Sequence, residues 1–151
     1  MAATLNVDVS YAARRPWVPR REQFRTWAAA ALAGRDCVDL LSVRVVGAAR
    51  SRSLNARYRN KDRPTNVLSF TGAGRSPDGS IDLGELVICA PVVAREATAQ
   101  RKTSASHWAH MTVHGVLHLL GFDHERDAEA REMASREAQI LERLGFSDPY
   151  S

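Results

Sequence analysis

Several things are scarce in this 151-residue chain, and each scarcity excludes something. There are only two cysteines, Cys37 and Cys89, far apart and in no Cys-x-x-Cys pattern. That is too few for a disulfide framework, and no cysteine lies near a histidine to complete a mixed zinc knuckle. Each cysteine neighbours Val or Ile, so two reduced thiols in apolar surroundings are expected. Lysine is nearly missing: Lys61 and Lys102 are the only two among 21 basic residues. No apolar run approaches the roughly 20 residues that a membrane span needs. The opening MAATLNVDVSYAARRPW has no basic-then-apolar signal layout. Its alternating Leu5, Val7 and Val9 predict a first strand instead, and the cytosol is the expected location. Repeats and low-complexity linkers are absent, and no histidine occurs outside residues 107–124.

What is present fits one globular domain spanning residues 1–151, long enough to bury a core unaided. Hydrophobic residues make up 44% and charged residues 25%, an ordinary balance. The formal net charge of +4 is unevenly spread. Residues 44–63 carry Arg44, Arg50, Arg52, Arg57, Arg59, Lys61 and Arg63 against one acid, Asp62. Residues 123–142 carry seven acids against three arginines. Such polarity suits a polyanionic partner such as RNA, and equally a solvated arginine-rich surface.

Hydrophobic periodicity predicts strands over Leu5–Ser10, Asp39–Val46, Asn66–Phe70 and Leu83–Cys89. Helices are predicted over about Arg20–Ala33, Ala48–Arg57, Pro91–Lys102, from a Ser104 or Ser106 cap to Leu120, and over Asp127–Leu144. The Gly/Pro/Ser-rich stretch Thr71–Ser80 reads as a loop. The expected fold is α+β, with one mixed sheet of about four strands, about five helices, and a metal site on a helix in the C-terminal half.

That site is read from HGVLHLLGFDH, His114–His124. On a helix, residues four apart differ by about 40° in direction and about 6 Å in height, so His114 and His118 project side by side. Gly121 can turn the chain and return His124 toward the same point. Three imidazoles suit one Zn²⁺ and leave a fourth tetrahedral position open, as in catalytic rather than structural sites. Metzincin proteases share the spacing but place Glu directly after the first His as general base. Here that position is Gly115. Three neutral ligands also leave the ion's charge uncompensated, which favours an anionic substrate such as a phosphodiester. His107 lies about 10 Å below His114 by helical rise, too far to share its ion. It and His110 are read as core or supporting residues, and Asp123 as a turn carboxylate or an acceptor behind an imidazole.

The histidine string resembles the signature of the YbeY family, bacterial metal-dependent endoribonucleases. LNARYRNKDRPTNVLSF (Leu54–Phe70), LGELVICAPVV (Leu83–Val93), SHWAHMTVHG and LGFSDPY are similar to further stretches of that family, so the likeness spans roughly residues 40–150. It departs at Phe122, where the family often has Tyr. The resemblance implies an α+β fold, one Zn²⁺ on His114, His118 and His124, and hydrolysis of single-stranded RNA. It also implies a role in ribosomal RNA 3′ end maturation and ribosome quality control, with ribosome-associated proteins as partners and no DNA substrate. Arg59 takes the place of the family's catalytic arginine. Arg57, Lys61 and Arg63 are candidates for contacts to the RNA backbone, and Thr65, Asn66 and Ser69 for polar contacts in the cleft. Either a water activated by the metal or the RNA 2′-hydroxyl would attack. Glu85 is a candidate acid, or else an outward-facing strand carboxylate; Tyr58 and Trp108 could stack bases or simply pack. Two rival readings stay open: another zinc hydrolase acting on a neutral peptide or amide, and a non-catalytic ribosome-associated module fixed by zinc.

Overall fold

A computed structural model describes residues 4–122 and 125–150. These form β1 (Thr4–Tyr11), α1 (Arg21–Ala31), β2 (Val38–Val46), α2 (Ala48–Arg59), β3 (Val67–Arg75), β4 (Ile81–Cys89), α3 (Ala90–Ala99), α4 (Ser104–Leu119) and α5 (Asp127–Arg143). The four strands make one mixed sheet in the order β1-β2-β4-β3. β1 and β2 are parallel, as are β2 and β4, and β3 runs antiparallel to β4. The α+β expectation therefore holds, with four strands and five helices among the described residues.

Strand alternation sorts the side chains into two cores. On one sheet face Leu41, Val43, Val45, Leu86 and Ile88 join Phe24 and Trp27 of α1, Trp108 and Val113 of α4, and Met133 and Leu141 of α5. On the other, Val46, Leu68, Val87 and Cys89 meet Val92 and Leu54. α1 buries Phe24, Trp27, Ala28 and Ala31, one stripe at three- and four-residue spacing. α4 is the central helix, packed against α1, α3, α5, β3 and β4. Trp108 is fully buried with its ring edge-on to Phe24 at 5.9 Å, which makes it a packing residue and removes it as a base-stacking candidate. Both cysteines are free thiols, as expected. No helix among the described residues is long and apolar enough to cross a membrane.

Two local expectations are corrected. Half of the stretch read as a loop, Thr71–Ser80, is strand: β3 continues to Arg75, and residues 76–80 form the turn. Its glycines reduce strand propensity, but pairing to β4 overrides that, with a register irregularity between Thr71 and Gly74. Gly84 shows why glycine is used there. Its φ is +127°, and a Cβ would collide with the Phe70 carbonyl oxygen. Neither Ser104 nor Ser106 caps α4. Thr103 does, its hydroxyl accepting from the Ser106 N–H at 3.1 Å, because a cap side chain reaches the donor three residues on.

Gly121, by contrast, ends α4 as its sequence context predicts. With φ at +101° it closes a Schellman motif, Gly121 N–H bonding to the His118 carbonyl and Phe122 N–H to that of Leu117. The same Leu-Gly-Phe device ends α5 at Gly145, with Phe146 N–H on the Leu141 carbonyl. Each phenylalanine folds back onto the main core.

Candidate active site

The site begins with α2 and the chain that follows it. α2 has two buried polar residues, Ser51 and Asn55, and both hold the downstream segment. Asn60 leaves the helix with φ +58° and reverses the chain. Asn55 then donates to the Arg63 carbonyl at 2.8 Å. Ser51 donates to the Thr65 carbonyl at 3.0 Å and accepts from the Thr65 N–H at 2.9 Å. Residues 61–65 are thereby folded back along α2, which ends at Arg59. The only acid of this basic stretch is engaged elsewhere: Asp62 holds Arg52 at 2.7 and 3.0 Å.

These residues form one wall of a cavity of about 200 Å³. Arg59, Lys61 and Arg63 supply its cationic side, with Asn55 and Thr65. Asn66, just before β3, Val67 and Ser69 of β3, and His114 and His118 of α4 complete the lining. Segments far apart in sequence thus meet in one pocket. Ser69 ties β3 to α4 by donating to the Gly115 carbonyl at 3.2 Å.

Gly115 itself points elsewhere. A Cβ there would lie 2.7 Å from a methyl of Leu86, whose side chain is fully buried. The position after the first histidine therefore faces the sheet. Any side chain there would press on Leu86, so the metzincin glutamate does not fit at this position without a shift of the core.

Behind the histidines runs a buried polar network. Glu137 of α5 is almost fully buried. Its Oε1 lies 2.6 Å from His110 Nε2 and 3.0 Å from the Tyr150 hydroxyl, which donates to it. His114 Nδ1 approaches both carboxylate oxygens, at 3.3 and 3.4 Å. Burial alone pushes this carboxyl upward, but the hydrogen bonds and charge of His110 and His114 outweigh it and hold it at about 2. Burial lowers His110 below the usual imidazole range, against the pull of Glu137. Burial and the same carboxylate raise the Tyr150 phenol.

A second carboxylate supports the cavity lining. Glu96 of α3 accepts from Asn66 Nδ2 at 3.1 and 3.3 Å and lies 2.8 Å from His107 Nε2. The His107 hydrogen bond holds it below the ordinary carboxylate range in spite of partial burial. His107 and His110 are thus supporting residues, each gripping a glutamate, and neither lines the cavity.

The expected site residues are therefore placed as follows. Arg59, Lys61, Arg63, His114 and His118 come together in one cavity, with Thr65, Asn66 and Ser69 beside them. Arg57 is not a lining residue; its guanidinium lies over the Tyr58 ring, 5.3 Å from the centroid. Tyr58 is exposed and packs edge-on to Phe70 at 5.1 Å. Glu85 is bound to Arg44 at 2.8 Å and does not line the cavity, so it is the outward-facing strand carboxylate. His124 and Asp123 lie outside the described residues. Among the described residues no group of three His, Cys, Asp or Glu side chains converges for a metal. The chemistry of those present nonetheless fits a divalent ion: two imidazoles on one wall, one of them backed by a carboxylate.

Sequence reading missed the roles of Glu96 and Glu137. The signal for Glu137 was available. α5 buries Met133, Ile140 and Leu141, and Glu137 sits on that same stripe, where a carboxylate needs a buried partner.

Comparison with known proteins bears on this geometry. A family model described as Endoribonuclease YbeY matches residues 19–145. Two proteins named Endoribonuclease YbeY, from Stenotrophomonas maltophilia strains K279a and R551-3, are each 52% identical over 153 residues. In both cases the match covers 97% of this chain and 94% of the relative. The solution structure of TM1509 from Thermotoga maritima is similar in fold, with a TM-score of 0.59 at 23% identity, covering 92% of this chain and 89% of that one.

Proposed function

We infer that this chain, which belongs to the YbeY endoribonuclease family, cuts single-stranded RNA in the cavity between Arg59 and the two histidines. It is an endoribonuclease, and RNA is its substrate. The finer reading is a zinc-dependent enzyme of the cytoplasm that matures ribosomal RNA 3′ ends and acts in ribosome quality control, in contact with the ribosome or its associated proteins. One observation carries the assignment of the site. Arg59, Lys61 and Arg63 line a single cavity with His114 and His118, although the two groups come from distant parts of the chain.

Chemically, cleavage of a phosphodiester needs the phosphate held and its growing charge stabilised. The planar guanidinium of Arg59 can bind two phosphate oxygens at once and strengthen those bonds as charge develops. Arg63 offers a second planar guanidinium, and Lys61 adds a point charge without that geometric constraint. Ser69, Thr65 and Asn66 line the same cavity, and their polar groups would orient the ribose and phosphate through hydrogen bonds. The bond from Asn66 to Glu96 and that from Ser69 to the Gly115 carbonyl keep these polar groups in position. His114 and His118 would hold the ion together with His124. When bound, a divalent ion supplies Lewis-acid charge and makes a nucleophile of water near neutral pH. A peptidase reading is disfavoured because Gly115 supplies no base, and a side chain at that position would press on Leu86.

The test is cleavage of short single-stranded and duplex RNAs by protein purified and loaded with Zn²⁺. Single strands should be cut and duplex spared. Arg59→Ala should slow cutting by about 10²–10³-fold, the scale of losing a charge-stabilising donor, while His118→Ala should lose bound metal as well. The reading fails if metal-loaded protein leaves single strands intact, or if Arg59→Ala cuts as fast as the parent. Ribosomal RNA with unprocessed 3′ ends in cells lacking the protein would support the finer assignment.

A further inference from the structure

We propose that Glu137 is a positioning residue that holds the His114 imidazole through Nδ1 and so presents Nε2 to the metal. The proposal rests on the metal reading above and deepens it. His110 Nε2 meets Glu137 Oε1 at 2.6 Å, and the Tyr150 hydroxyl donates to the same oxygen. His114 Nδ1 lies almost equally far from both carboxylate oxygens, at 3.3 and 3.4 Å, the placement of a ring N–H donating to a carboxylate. For His114 that chooses the tautomer. With Nδ1 carrying the proton, Nε2 is the nitrogen with a lone pair for an ion. A carboxylate behind an imidazole also fixes the ring's orientation and raises its basicity as a ligand.

The burial pattern argues that this is a built arrangement. Glu137 occupies the core stripe of α5 between Met133 and Ile140, where an apolar side chain would pack at lower cost. Its carboxylate is shared among three partners and so is held from several directions. His110 contributes a short bond of 2.6 Å and has no hydrogen-bond partner at its buried Nδ1, as a ring donating only through Nε2 would. The ring centroids of His110 and His114 are 6.4 Å apart on the same helix, so one carboxylate reaches both. α5 and the C-terminal Tyr150 are in this way tied to the histidine wall of the cavity.

Two measurements decide the matter. Long-range ¹H–¹⁵N spectra of metal-free wild-type protein at pH 8 should show neutral His114 as the Nδ1–H tautomer; an Nε2–H tautomer would overturn the proposal whatever any variant does. Chelator competition should show Glu137→Gln binding Zn²⁺ about 10–100-fold more weakly than wild type, with an unchanged far-ultraviolet circular dichroism spectrum. Wild type that binds Zn²⁺ beside a folded Glu137→Gln that binds it equally well would overturn the positioning role and leave the metal reading standing. Wild type that binds no Zn²⁺ would overturn the metal reading, and this proposal with it. Should Glu137→Gln fail to fold, the tautomer of the wild-type ring is the deciding result.

Discussion

Gly115 shows how one residue can bear on chemistry through packing. By motif alone, its interest is the missing glutamate. In the fold, that position is pressed against Leu86, and its own carbonyl receives Ser69 from β3. The close approach of α4 to the sheet depends on having no side chain there. Gly115→Val should therefore destabilise the protein by about 1–3 kcal/mol, the usual cost of overpacking a filled core, offset only by the few tenths of a kcal/mol by which Val is a better helix former than Gly. A urea midpoint that does not move would show that α4 can shift away from β4 without loss. Because Ser69 and His114 flank this contact, cleavage should fall by more than the loss of folded protein explains. Glu137 and Glu96 belong to the same scale. Each is a carboxylate placed behind a residue of the cavity wall, and each is invisible to a search for residues that line a pocket.

Between elements, Glu96 is the connector: it joins α3 to Asn66 at the head of β3 and to His107 on α4. Its pKa lies below the ordinary value of 4.5, first through the His107 hydrogen bond and then against partial burial. A carboxylate lowered in the folded state stabilises fully above its ordinary pKa, and that stabilisation is lost as pH falls through the lowered value. Unfolding in urea should thus become easier for wild type as pH falls below the ordinary value of 4.5. Glu96→Gln should show less of that acid sensitivity and lower stability at pH 7. Equal acid sensitivity in both would remove Glu96 as a contributor. The elements themselves were largely legible in the sequence, because apolar residues recur at strand or helix period and Gly121 and Gly145 mark helix ends. Strand β3 beyond Phe70 was not, since Gly72 and Gly74 carry no periodic signal and the pairing comes from β4. The supporting glutamates were illegible as functional groups for a related reason. A carboxylate on a buried stripe declares that it has a partner, but tertiary structure decides that the partner is a cavity-wall residue or another histidine on α4.

For the whole molecule, the net charge of +4 says less than where the charges end up. Of the seven acids between residues 123 and 142, Glu137 is buried in the histidine network and is not a surface residue. Of the seven basic residues between 44 and 63, Arg44 and Arg52 are neutralised by Glu85 and Asp62. Only Arg59, Lys61 and Arg63 of that stretch line the cavity. The fold thus concentrates a diffuse basic segment into about three cations at one mouth. This yields a quantitative expectation. For single strands, the logarithm of the binding constant falls with the logarithm of salt concentration by about 0.7 per phosphate neutralised. Three contacts give a slope of about −2. Binding of a short fluorescent single-stranded RNA to metal-free protein, followed by anisotropy between roughly 50 and 200 mM salt, measures it. Lys61→Ala should make the slope shallower by about 0.7, whereas Arg57→Ala, whose guanidinium lies on Tyr58 outside the cavity, should leave it unchanged. A slope near zero would mean that phosphate charge does not drive binding. Equal loss in the two variants would mean that RNA tracks the outer face of α2 and not the cavity, and the assignment of Lys61 and Arg63 to the RNA path would then be wrong even if Arg59 proved essential for cleavage.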